Sequence, residues 1–586
     1  MPLIQPCHDV SIARRLDTGQ GGWDAWFWFG AGTQAHMGTS RFHNDRDELV
    51  QQAIDGHLRT TPGLARLDGY PGTKVVVRTD ADPAAVAILS GGGSGHEPAH
   101  VGYVGQGMLT AAVAGELFAS PAVDAVETAI AHVTTEAGCV LVVKDYTGDR
   151  LNFGLAAQRA RADGHEIRVV TVADDIALPD AEHPRGLAGT VLVHKLAGHL
   201  AREGADVDTI AEAAQALADD CRTIGLALTT ATMPTAGEEG RFDDDVAEVG
   251  LGIHGEPGVE RIPTGDATDY AELLADRLLD GAPDGPLIVL INDLGAVPPV
   301  ELGVLVDALL AGPLGERAEL VVGPGRFMTS LDMYGVSVTI APLDDQRRAA
   351  LTSPVEPAAW SSPVPVRAPE VLELPTREGG EAVEPSDHPG RRTALEAVAD
   401  RLAAARDELD TLDSAVGDGD TGTTFAAGGR AIAESLDELP LADLPALLGA
   451  LSARVTGAMG GSAGALVGLL LDGMRGALAD GEEPPAALAA GLEAMQEHGG
   501  AAEGDRTMLD ALWPAQRVLA DGGDLEEAAD VARKAAQATA EIDETGAGRS
   551  SYVGADALVG NPDPGAIVAA HVLEAFAAAV CGGTDG

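Results

Sequence analysis

Three aspartates lie close together in LDSAVGDGDTGTT, residues 412–424, a segment interrupted by glycines. Asp413, Asp418 and Asp420 would repel one another unless a cation lay between them, and the glycines let the backbone turn tightly enough for their oxygens to converge. Hard oxygen ligands without a nearby Cys or His favour Mg²⁺, which usually keeps positions for water and substrate phosphates. The segment therefore predicts a Mg²⁺ site for nucleotide phosphate chemistry. The alternative is a solvated acidic loop, in a chain with 91 acidic residues.

Three further segments, all in the first half of the chain, place polar side chains where a sheet would bind a ligand. GGGSGHEPAH, residues 91–100, follows a strand-like run, and a glycine-rich turn there lets the backbone approach a small ligand closely. KDYTGD ends another such run, so Asp149 is either a site residue or the N-cap of the next helix. GLGIHGEPG carries His254, which is either a surface residue in a loop or a catalytic one.

The composition excludes several classes of partner. The formal charge is −53 and the chain has 38 basic residues, which makes its surface a poor match for nucleic acid or an anionic membrane. Four widely spaced cysteines, without a CxxC pair, fit a reducing cytoplasm better than a disulfide framework. No apolar run reaches the ~18 residues of a membrane helix. The excess of acid is consistent with adaptation to high salt.

The periodicity of apolar residues divides the chain into two kinds of structure. Up to about residue 345, strand-like runs at 86–90, 140–146, 167–173 and 286–293 alternate with helical patterns, which predicts parallel α/β sheets. Residues 346–390 are rich in Pro, Glu and Ser and predict an interdomain linker. Residues 391–586 show Ala and Leu in helical periodicity, which predicts an all-α domain. Residues 1–36 differ in composition, and Met37 is the expected natural start, with 1–36 a mis-called extension.

Taken together and in order, the motifs resemble those of the single-chain ATP-dependent dihydroxyacetone kinases. GGGSGHEPAHVGYVGQGML, KDYTGDRLNFGLA, RGLAGTVLVHKLAG and GLGIHGEPG are similar to the substrate-binding, DhaK-like half of that family. DSAVGDGDTGTTF, GAMGGSAGAL, GDRTMLDALWPA, GRSSYVG and NPDPGA are similar to its nucleotide-binding, DhaL-like half. The resemblance covers about Met37 to the C-terminus. It implies a two-part α/β domain over 37–345 and a closed barrel of about eight antiparallel helices over 391–586.

The resemblance also assigns roles in the first half. His254 would hold the ketone as a covalent hemiaminal, since a neutral imidazole can attack a carbonyl carbon. Asp149 would be the general base toward the primary hydroxyl, with His96 orienting it. Gly93 would let the backbone approach the substrate, and Lys144 matches a site lysine of the family.

In the second half the resemblance implies a site for ATP with Mg²⁺, expected as two ions on Asp413, Asp418 and Asp420. Gly460, Gly461 and Ser462 resemble the turn at a helix N-terminus that approaches phosphate. Taken by itself, a glycine cluster of this kind favours helix packing instead. The remaining residues that resemble the lining of the nucleotide pocket are Thr423, Thr507, Met508, Arg549, Asp563 and Gly565.

The activity that the resemblance implies is phosphorylation of dihydroxyacetone by ATP, in a cytoplasmic homodimer without nucleic acid or membrane partners. Alternatives within the enzyme class are a kinase for D-glyceraldehyde or another short ketose such as erythrulose, and an additional FAD-AMP lyase activity. An alternative from another class is a triose-sensing regulatory protein. The presence of both His254 with Asp149 and the three aspartates argues against the sensor.

Overall fold

The computed structural model describes residues 42–233, 245–375, 384–543, 545–546 and 558–582, which form two compact units divided between Val371 and Leu372. The expected extension, residues 1–36, lies outside the described residues. The first unit contains α1 (Leu49–Thr60), β1 (Leu64–Arg66), β2 (Val75–Arg78), β3 (Ala87–Ser94), β4 (Ala111–Leu117), α2 (Val123–Val133), β5 (Cys139–Lys144), α3 (Thr147–Ala162), β6 (Ile167–Val172), α4 (Gly189–Arg202), α5 (Val207–Asp220), β7 (Arg222–Ala227), β8 (Val246–Val249), β9 (Glu260–Pro263), α6 (Ala267–Leu279), β10 (Leu287–Asp293), α7 (Pro299–Ala311), α8 (Pro313–Arg317), β11 (Ala318–Gly325), β12 (Gly335–Pro342), α9 (Asp345–Thr352) and β13 (Val364–Pro365).

The first sheet has the strand order β1-β2-β4-β3-β5-β6, and its last four strands are parallel. Alternate residues of β5 face opposite cores, because side chains along a strand point to opposite faces. Val140 and Val142 belong to a core that α4 covers, while Leu141 and Val143 belong to a core with Phe153 of α3. Burial on both faces explains why the run reads as continuously apolar in the sequence.

The second sheet corrects the expectation of parallel strands. Its order is β13-β11-β10-β12-β7-β8-β9, and β10 with β11 is its parallel pair, while the other pairings are antiparallel. In β10, Val289 and Ile291 face α6 and α7, whereas Ile288 and Leu290 join the same core as Val140. The two sheets of the first unit therefore share a core.

The predicted linker, residues 346–390, is partly structured. Helix α9 begins at Asp345, β13 adds to the edge of the second sheet beside β11, and the side chain of Trp360 between them is buried in the core of the first unit. The elements of the first unit thus extend about 20 residues further than the predicted boundary. Apolar residues such as Leu351 and Trp360 hold this part of the proline-rich segment against the sheets.

The second unit is helical, as predicted. Its helices are α10 (Pro389–Ala404), α11 (Arg406–Val416), α12 (Thr421–Ser435), α13 (Leu444–Ala458), α14 (Gly461–Ala479), α15 (Pro484–Gly499), α16 (Met508–Ala520), α17 (Leu525–Ala538) and α18 (Pro564–Cys581). Leaving α11 aside, each helix from α10 to α18 packs against the next, and α18 packs against α10. Among the described residues, this closes a ring of eight helices around a core that includes Leu409, Leu451, Leu492 and Leu509.

Two helices of this ring, α14 and α18, are long and apolar enough to cross a membrane by length and composition alone. Each carries charged residues, such as Asp472 in α14 and Glu574 in α18, so neither appeared as an uninterrupted apolar run. Both pack against two neighbouring helices of the ring, and a core helix of a helical domain meets the same criteria.

Candidate active site

The site of the first unit is built around a pair of histidines from distant parts of the chain. His96, after β3, and His254, after β8, approach to 3.1 Å between their Nε2 atoms. The His96 ring is fully buried, and the side chain of His254 is 17% exposed. Phe118 stacks on His96 at 5.2 Å between ring centroids, and Tyr146 meets His254 edge-on at 4.4 Å. The aromatic rings fix both imidazoles and leave His254 accessible on one side.

The hydrogen bonds of the two rings determine where their protons lie. His96 Nδ1 is 2.8 Å from the carbonyl oxygen of Thr329, and His254 Nδ1 is 3.3 Å from Glu256 Oε1. A carbonyl and a carboxylate only accept, so both Nδ1 atoms carry protons. The contact between the two Nε2 atoms then requires one shared proton. Burial lowers the pKa of His96 well below its usual value, with Lys144 and His254 adding to the effect.

Glu256 holds the loop that carries His254, residues 250–258, through both of its carboxylate oxygens. Its other oxygen, Oε2, accepts a hydrogen bond of 2.9 Å from the backbone N–H of His254. Burial would raise the pKa of Glu256, but the hydrogen bond and charge of His254 lower it to about 2. Arg185 and Ser330 donate to the carbonyl oxygens of Gly250 and Ile253, which fixes the rest of the loop. Glu256 was missed by sequence reasoning, although it stands two residues after His254 in the same motif.

Lys144 lies beside the histidine pair, and Asp149 lies beside Lys144. Lys144 ends β5, is fully buried, and its Nζ is 5.4 Å from the centroid of the Tyr146 ring. Burial lowers the pKa of this lysine, and the charge of Asp149 opposes that effect. Asp149 lies in the first turn of α3, whose N-cap is Tyr146, so the alternative of an Asp149 N-cap does not hold. The structure therefore groups the predicted residues Asp149, Lys144, His96 and His254.

The glycine-rich segment differs from the expected turn. Strand β3 continues through Gly91, Gly92 and Gly93 to Ser94. A Cβ on Gly93 would lie 2.7 Å from the backbone N of Ala119, so this glycine permits close packing of backbone on backbone. Gly92, which was not predicted, faces the polar groups: a Cβ there would lie 3.3 Å from Lys144 Cε and 3.4 Å from Asp149 Oδ2.

In the second unit, the three predicted aspartates come together. One carboxylate oxygen from each of Asp413, Asp418 and Asp420 lies within 4.8 Å of the others. Asp413 is buried, and its Oδ2 accepts hydrogen bonds of 2.9–3.2 Å from three backbone N–H groups of residues 419–421. A Cβ on Gly417 would lie 2.3 Å from Asp413 Oδ1, and Gly419 has φ +80°, so both positions favour glycine. An all-oxygen donor set with two exposed carboxylates fits Mg²⁺.

A cavity of about 270 Å³ adjoins these carboxylates and is lined by the N-terminal ends of four helices, which we call the helix-end cavity. The helices are α12, α14, α16 and α18, and the lining residues are Asp413, Val416, Asp420, Thr421, Thr424, Phe425, Gly460, Gly461, Ser462, Ala463, Leu466, Arg506, Thr507, Met508, Asp563, Pro564 and Gly565. Free N–H groups and the positive end of the helix dipole attract anions. Four such ends around one cavity suit a polyphosphate.

Two predicted residues of this group are not in the lining. Thr423 is exposed and hydrogen-bonds to Asp410 through both its backbone N and its hydroxyl, at 2.8 Å each. Thr424 lines the cavity instead, since positions 420, 421 and 424 share one face of a helix. Arg549 lies outside the described residues.

Asp563 and Arg506 determine the electrostatics at the cavity wall. Asp563 caps α18 by accepting a 2.7 Å hydrogen bond from the N–H of Ala566. Burial raises the pKa of Asp563 to about 7; Ala566 and Arg506 oppose this shift, and Asp510 and Asp413 add to it. The guanidinium of Arg506, which was not predicted, donates to four backbone carbonyls, those of Thr539, Ile542, Leu558 and Asn561. Arg506 stands directly before Thr507 in the GDRTMLD motif, and this position is the feature of the sequence that could have indicated it.

Comparisons with known proteins agree with this arrangement. Residues 55–359 match the Dak1 domain family and residues 415–578 match the DAK2 domain family. The chain is 44% identical to the dihydroxyacetone kinase of Citrobacter freundii over 92% of this chain and 98% of that protein. It is 38% identical to the triokinase/FMN cyclase of Homo sapiens over 92% and 99% of the two chains. The crystal structure of the C. freundii kinase with AMP-PNP and Mg²⁺ matches with a TM-score of 0.67 at 43% identity, covering 92% and 99% of the two chains.

Proposed function

We propose that this chain, which belongs to the family of single-chain dihydroxyacetone kinases with fused Dak1 and Dak2 domains, transfers the γ-phosphoryl group of ATP to dihydroxyacetone. The observation that supports this most is the presence of two complete half-sites in one chain. One holds the His96–His254 pair with the buried Lys144 and Asp149, and the other holds three aspartates beside four helix N-termini. The predicted homodimer and cytoplasmic location stay predictions.

Capture of the ketone as a hemiaminal on His254 is supported by the proton arrangement of the histidine pair. His254 Nε2 uses its lone pair to attack the carbonyl carbon, once the shared proton rests on His96. That proton then passes from His96 Nε2 to the carbonyl oxygen, which becomes a hydroxyl. His254 keeps Nδ1–H toward Glu256 and carries the positive charge that the pair shared before. Atoms and charge balance, and the lowered pKa of His96 favours release of its proton.

Phosphoryl transfer then needs a base at the primary hydroxyl and charge compensation at the phosphates. Asp149 is the proposed base, because it is buried, lies beside Lys144, and has an oxygen, Oδ1, without a hydrogen-bond partner among the described residues. In the second unit Asp413, Asp418 and Asp420 would hold Mg²⁺, which offsets charge on the transferring phosphoryl group. The number of ions is proposed as two. The helix ends that include Gly461 and Ser462 would bind phosphate oxygens through backbone N–H groups.

A coupled assay with ATP and Mg²⁺ tests the proposal, with dihydroxyacetone, D-glyceraldehyde, erythrulose and glycerol as acceptors in low and high salt. Dihydroxyacetone should turn over and glycerol should not, because glycerol has no carbonyl for His254. Preference for one of the other carbonyl compounds would reassign the substrate within the family. No turnover of any carbonyl compound would favour the triose sensor, and FAD breakdown with Mn²⁺ is assayed in parallel for the lyase.

His254→Ala separates covalent capture from simple enclosure. The variant should bind dihydroxyacetone weakly and lose its discrimination against glycerol, since the carbonyl is then read by hydrogen bonds alone. The readout is the ¹³C chemical shift of [2-¹³C]dihydroxyacetone when it binds. Borohydride trapping is not suitable, because it does not convert a hemiaminal into a stable adduct that mass spectrometry could detect. A tetrahedral carbon signal in wild type and none in His254→Ala is expected; a retained ketone signal in wild type would refute the hemiaminal.

A further inference from the structure

The hollow over Gly92 is bordered by polar side chains from three different elements. A Cβ built on Gly92 would lie 3.3 Å from Lys144 Cε, 3.4 Å from Asp149 Oδ2 and 3.4 Å from His100 Nε2. Lys144 ends β5, Asp149 lies in the first turn of α3, and His100 follows β3. Glycine leaves this position without a side chain, so the three groups converge on one point of β3.

Each of these side chains has a polar atom without a hydrogen-bond partner among the described residues. The atoms are Lys144 Nζ, Asp149 Oδ1 and His100 Nε2, and the three residues are 0, 2 and 4% exposed. Buried polar atoms are nearly always paired in native structures, because leaving one unpaired costs free energy. Three unpaired atoms around one hollow therefore indicate a ligand that satisfies them together.

Ser90 determines which nitrogen of His100 carries its proton. The Ser90 hydroxyl donates its one hydrogen to the carbonyl oxygen of Val142 at 2.7 Å, so toward the imidazoles it can only accept. His100 Nδ1 lies 3.3 Å and His194 Nε2 lies 3.1 Å from the same hydroxyl oxygen, and both must therefore donate. His100 is left with a bare lone pair on Nε2, which is the atom that borders the hollow.

The surroundings of His100 keep that lone pair available. Burial lowers the pKa of His100 well below its usual value, and Lys144, His194 and His96 lower it further. Burial likewise lowers the pKa of His194 to about 3, with Lys144 adding to the effect. Both rings are therefore neutral at physiological pH, and His100 Nε2 is an acceptor that needs a donor.

The hollow thus offers one donor, Lys144 Nζ, and two acceptors, Asp149 Oδ1 and His100 Nε2. Dihydroxyacetone carries two hydroxyl groups, each of which can donate one hydrogen and accept others. If Asp149 receives the hydrogen of the hydroxyl that is phosphorylated, His100 Nε2 is the acceptor left for the other hydroxyl of dihydroxyacetone. We propose that His100 accepts a hydrogen bond from the hydroxyl that is not phosphorylated and so makes the site specific for ketones with a hydroxyl on both sides of the carbonyl.

This inference rests on the proposed function and extends it to a residue with a defined role in specificity. A ligand with one hydroxyl replaced by a methyl group would leave His100 Nε2 buried and unpaired. A site built to bind a hydroxyl rejects an analogue without it much more strongly than an apolar site does. The discrimination should therefore come from His100, with Ser90 as a positioning residue that fixes its tautomer.

The test compares kcat/KM for dihydroxyacetone with kcat/KM for 1-hydroxypropan-2-one, which keeps the carbonyl and one hydroxyl. Productive binding places the one hydroxyl of the analogue at Asp149 and its methyl group at His100. In wild type, dihydroxyacetone should be preferred about 10- to 100-fold. His100→Leu should reduce this ratio to within about 3-fold of unity, and His100→Gln, which places an amide acceptor near Nε2, should restore most of it.

Ser90→Ala provides a second variant, which removes the hydroxyl that accepts the hydrogen bond from His100 Nδ1. Loss of the Ser90 hydroxyl frees His100 to adopt the other tautomer, so the preference for dihydroxyacetone should fall to an intermediate value. A purely structural role would lower kcat/KM for both ketones by the same factor in all three variants. That outcome, or an unchanged ratio in His100→Leu, would overturn the assignment.

Failure of the inference and failure of the proposed function give different results. If the wild-type chain phosphorylates dihydroxyacetone but His100→Leu keeps the preference, the kinase assignment stands and the role of His100 is refuted. If wild type phosphorylates neither ketone, the proposed function fails and the inference fails with it. Thermal unfolding of each variant shows whether a lost activity reflects a lost fold.

Discussion

Asp563→Asn should remove a pH-dependent weakness of the second unit. Burial raises the pKa of Asp563 from 3.8 to about 7, so between these values the folded protein binds a proton that the unfolded chain does not. Stability from this group is therefore fully present below about pH 4 and is lost as the pH rises to about 7. At about 1.4 kcal/mol per pH unit, the loss amounts to at most about 4 kcal/mol.

Asparagine keeps the cap and removes the charge. Its amide oxygen can accept the hydrogen bond from the Ala566 N–H, and Asn is as good an N-cap as Asp. The variant should match wild type near pH 4 and exceed it at pH 8. For a unit of this length, about 4 kcal/mol corresponds to roughly 10 °C in the unfolding midpoint.

Differential scanning calorimetry at pH 4 to 8, with EDTA and without nucleotide, measures the midpoint of the second unit. The many carboxylates of this acidic chain also repel one another as the pH rises, so the informative quantity is the difference between variant and wild type. Asp521→Asn, the same change at an exposed helix end, is the matched control and should run parallel to wild type. Parallel curves for Asp563→Asn and wild type would refute the reasoning.

Three further changes test other contacts. Glu256→Gln should weaken dihydroxyacetone binding by about 5- to 30-fold in calorimetric titration, because the partly exposed hydrogen bond to His254 loses its charge assistance. An effect no larger than that of Glu260→Gln, an exposed carboxylate on β9, would contradict this. Gly92→Ala should reduce kcat/KM for dihydroxyacetone at least about 100-fold with little change in unfolding midpoint, since the methyl group fills the hollow. The control is Gly154→Ala, where nothing lies within 4 Å of the added Cβ. Equal activities of the two variants would rule out the hollow as the site. Asp418→Ala should abolish Mg²⁺-dependent nucleotide binding and leave dihydroxyacetone binding unchanged, as measured by titration of each ligand. The control is Asp480→Ala, the same change at the end of α14. Equal nucleotide binding by the two variants would show that the three aspartates hold no ion.

The class of each unit could be predicted from the sequence because the local periodicity and the tertiary packing agree. Strands such as β5 are buried on both faces and read as continuous apolar runs, while α10 to α18 repeat Ala and Leu at helical spacing. The antiparallel pairings of the second sheet could not be predicted, because pairing direction depends on connections that periodicity does not report. The Pro content of residues 346–366 predicts a linker, whereas Trp360 and Leu351 are buried against the sheets, which composition does not report.

The candidate sites were predictable where one motif carries both the residue and its chemistry. Asp413, Asp418 and Asp420 lie within eight residues of one another, and His254 and Asp149 lie in motifs that resemble known ones. Partnerships between distant residues, such as Ser90 with His194 or Arg506 with Leu558, were invisible because only the fold brings them together. Gly92 and Gly93 are neighbours of the same type, and only the direction of the missing Cβ distinguishes their roles.

The helix-end cavity would bind a polyanion with little help from basic side chains. Arg506 is the one Lys or Arg among the described lining residues, and its guanidinium is bound to backbone carbonyls, as noted above. Phosphate charge would then be met by the N–H groups of four helix ends and by a Mg²⁺ ion that the three aspartates would hold. The attraction of a helix N-terminus for an anion falls off within the first turn of the helix. A divalent ion would contact the phosphate oxygens directly. Nucleotide affinity should therefore depend on Mg²⁺ far more than on any single basic side chain described here, in a protein whose net charge of −53 otherwise repels the ligand.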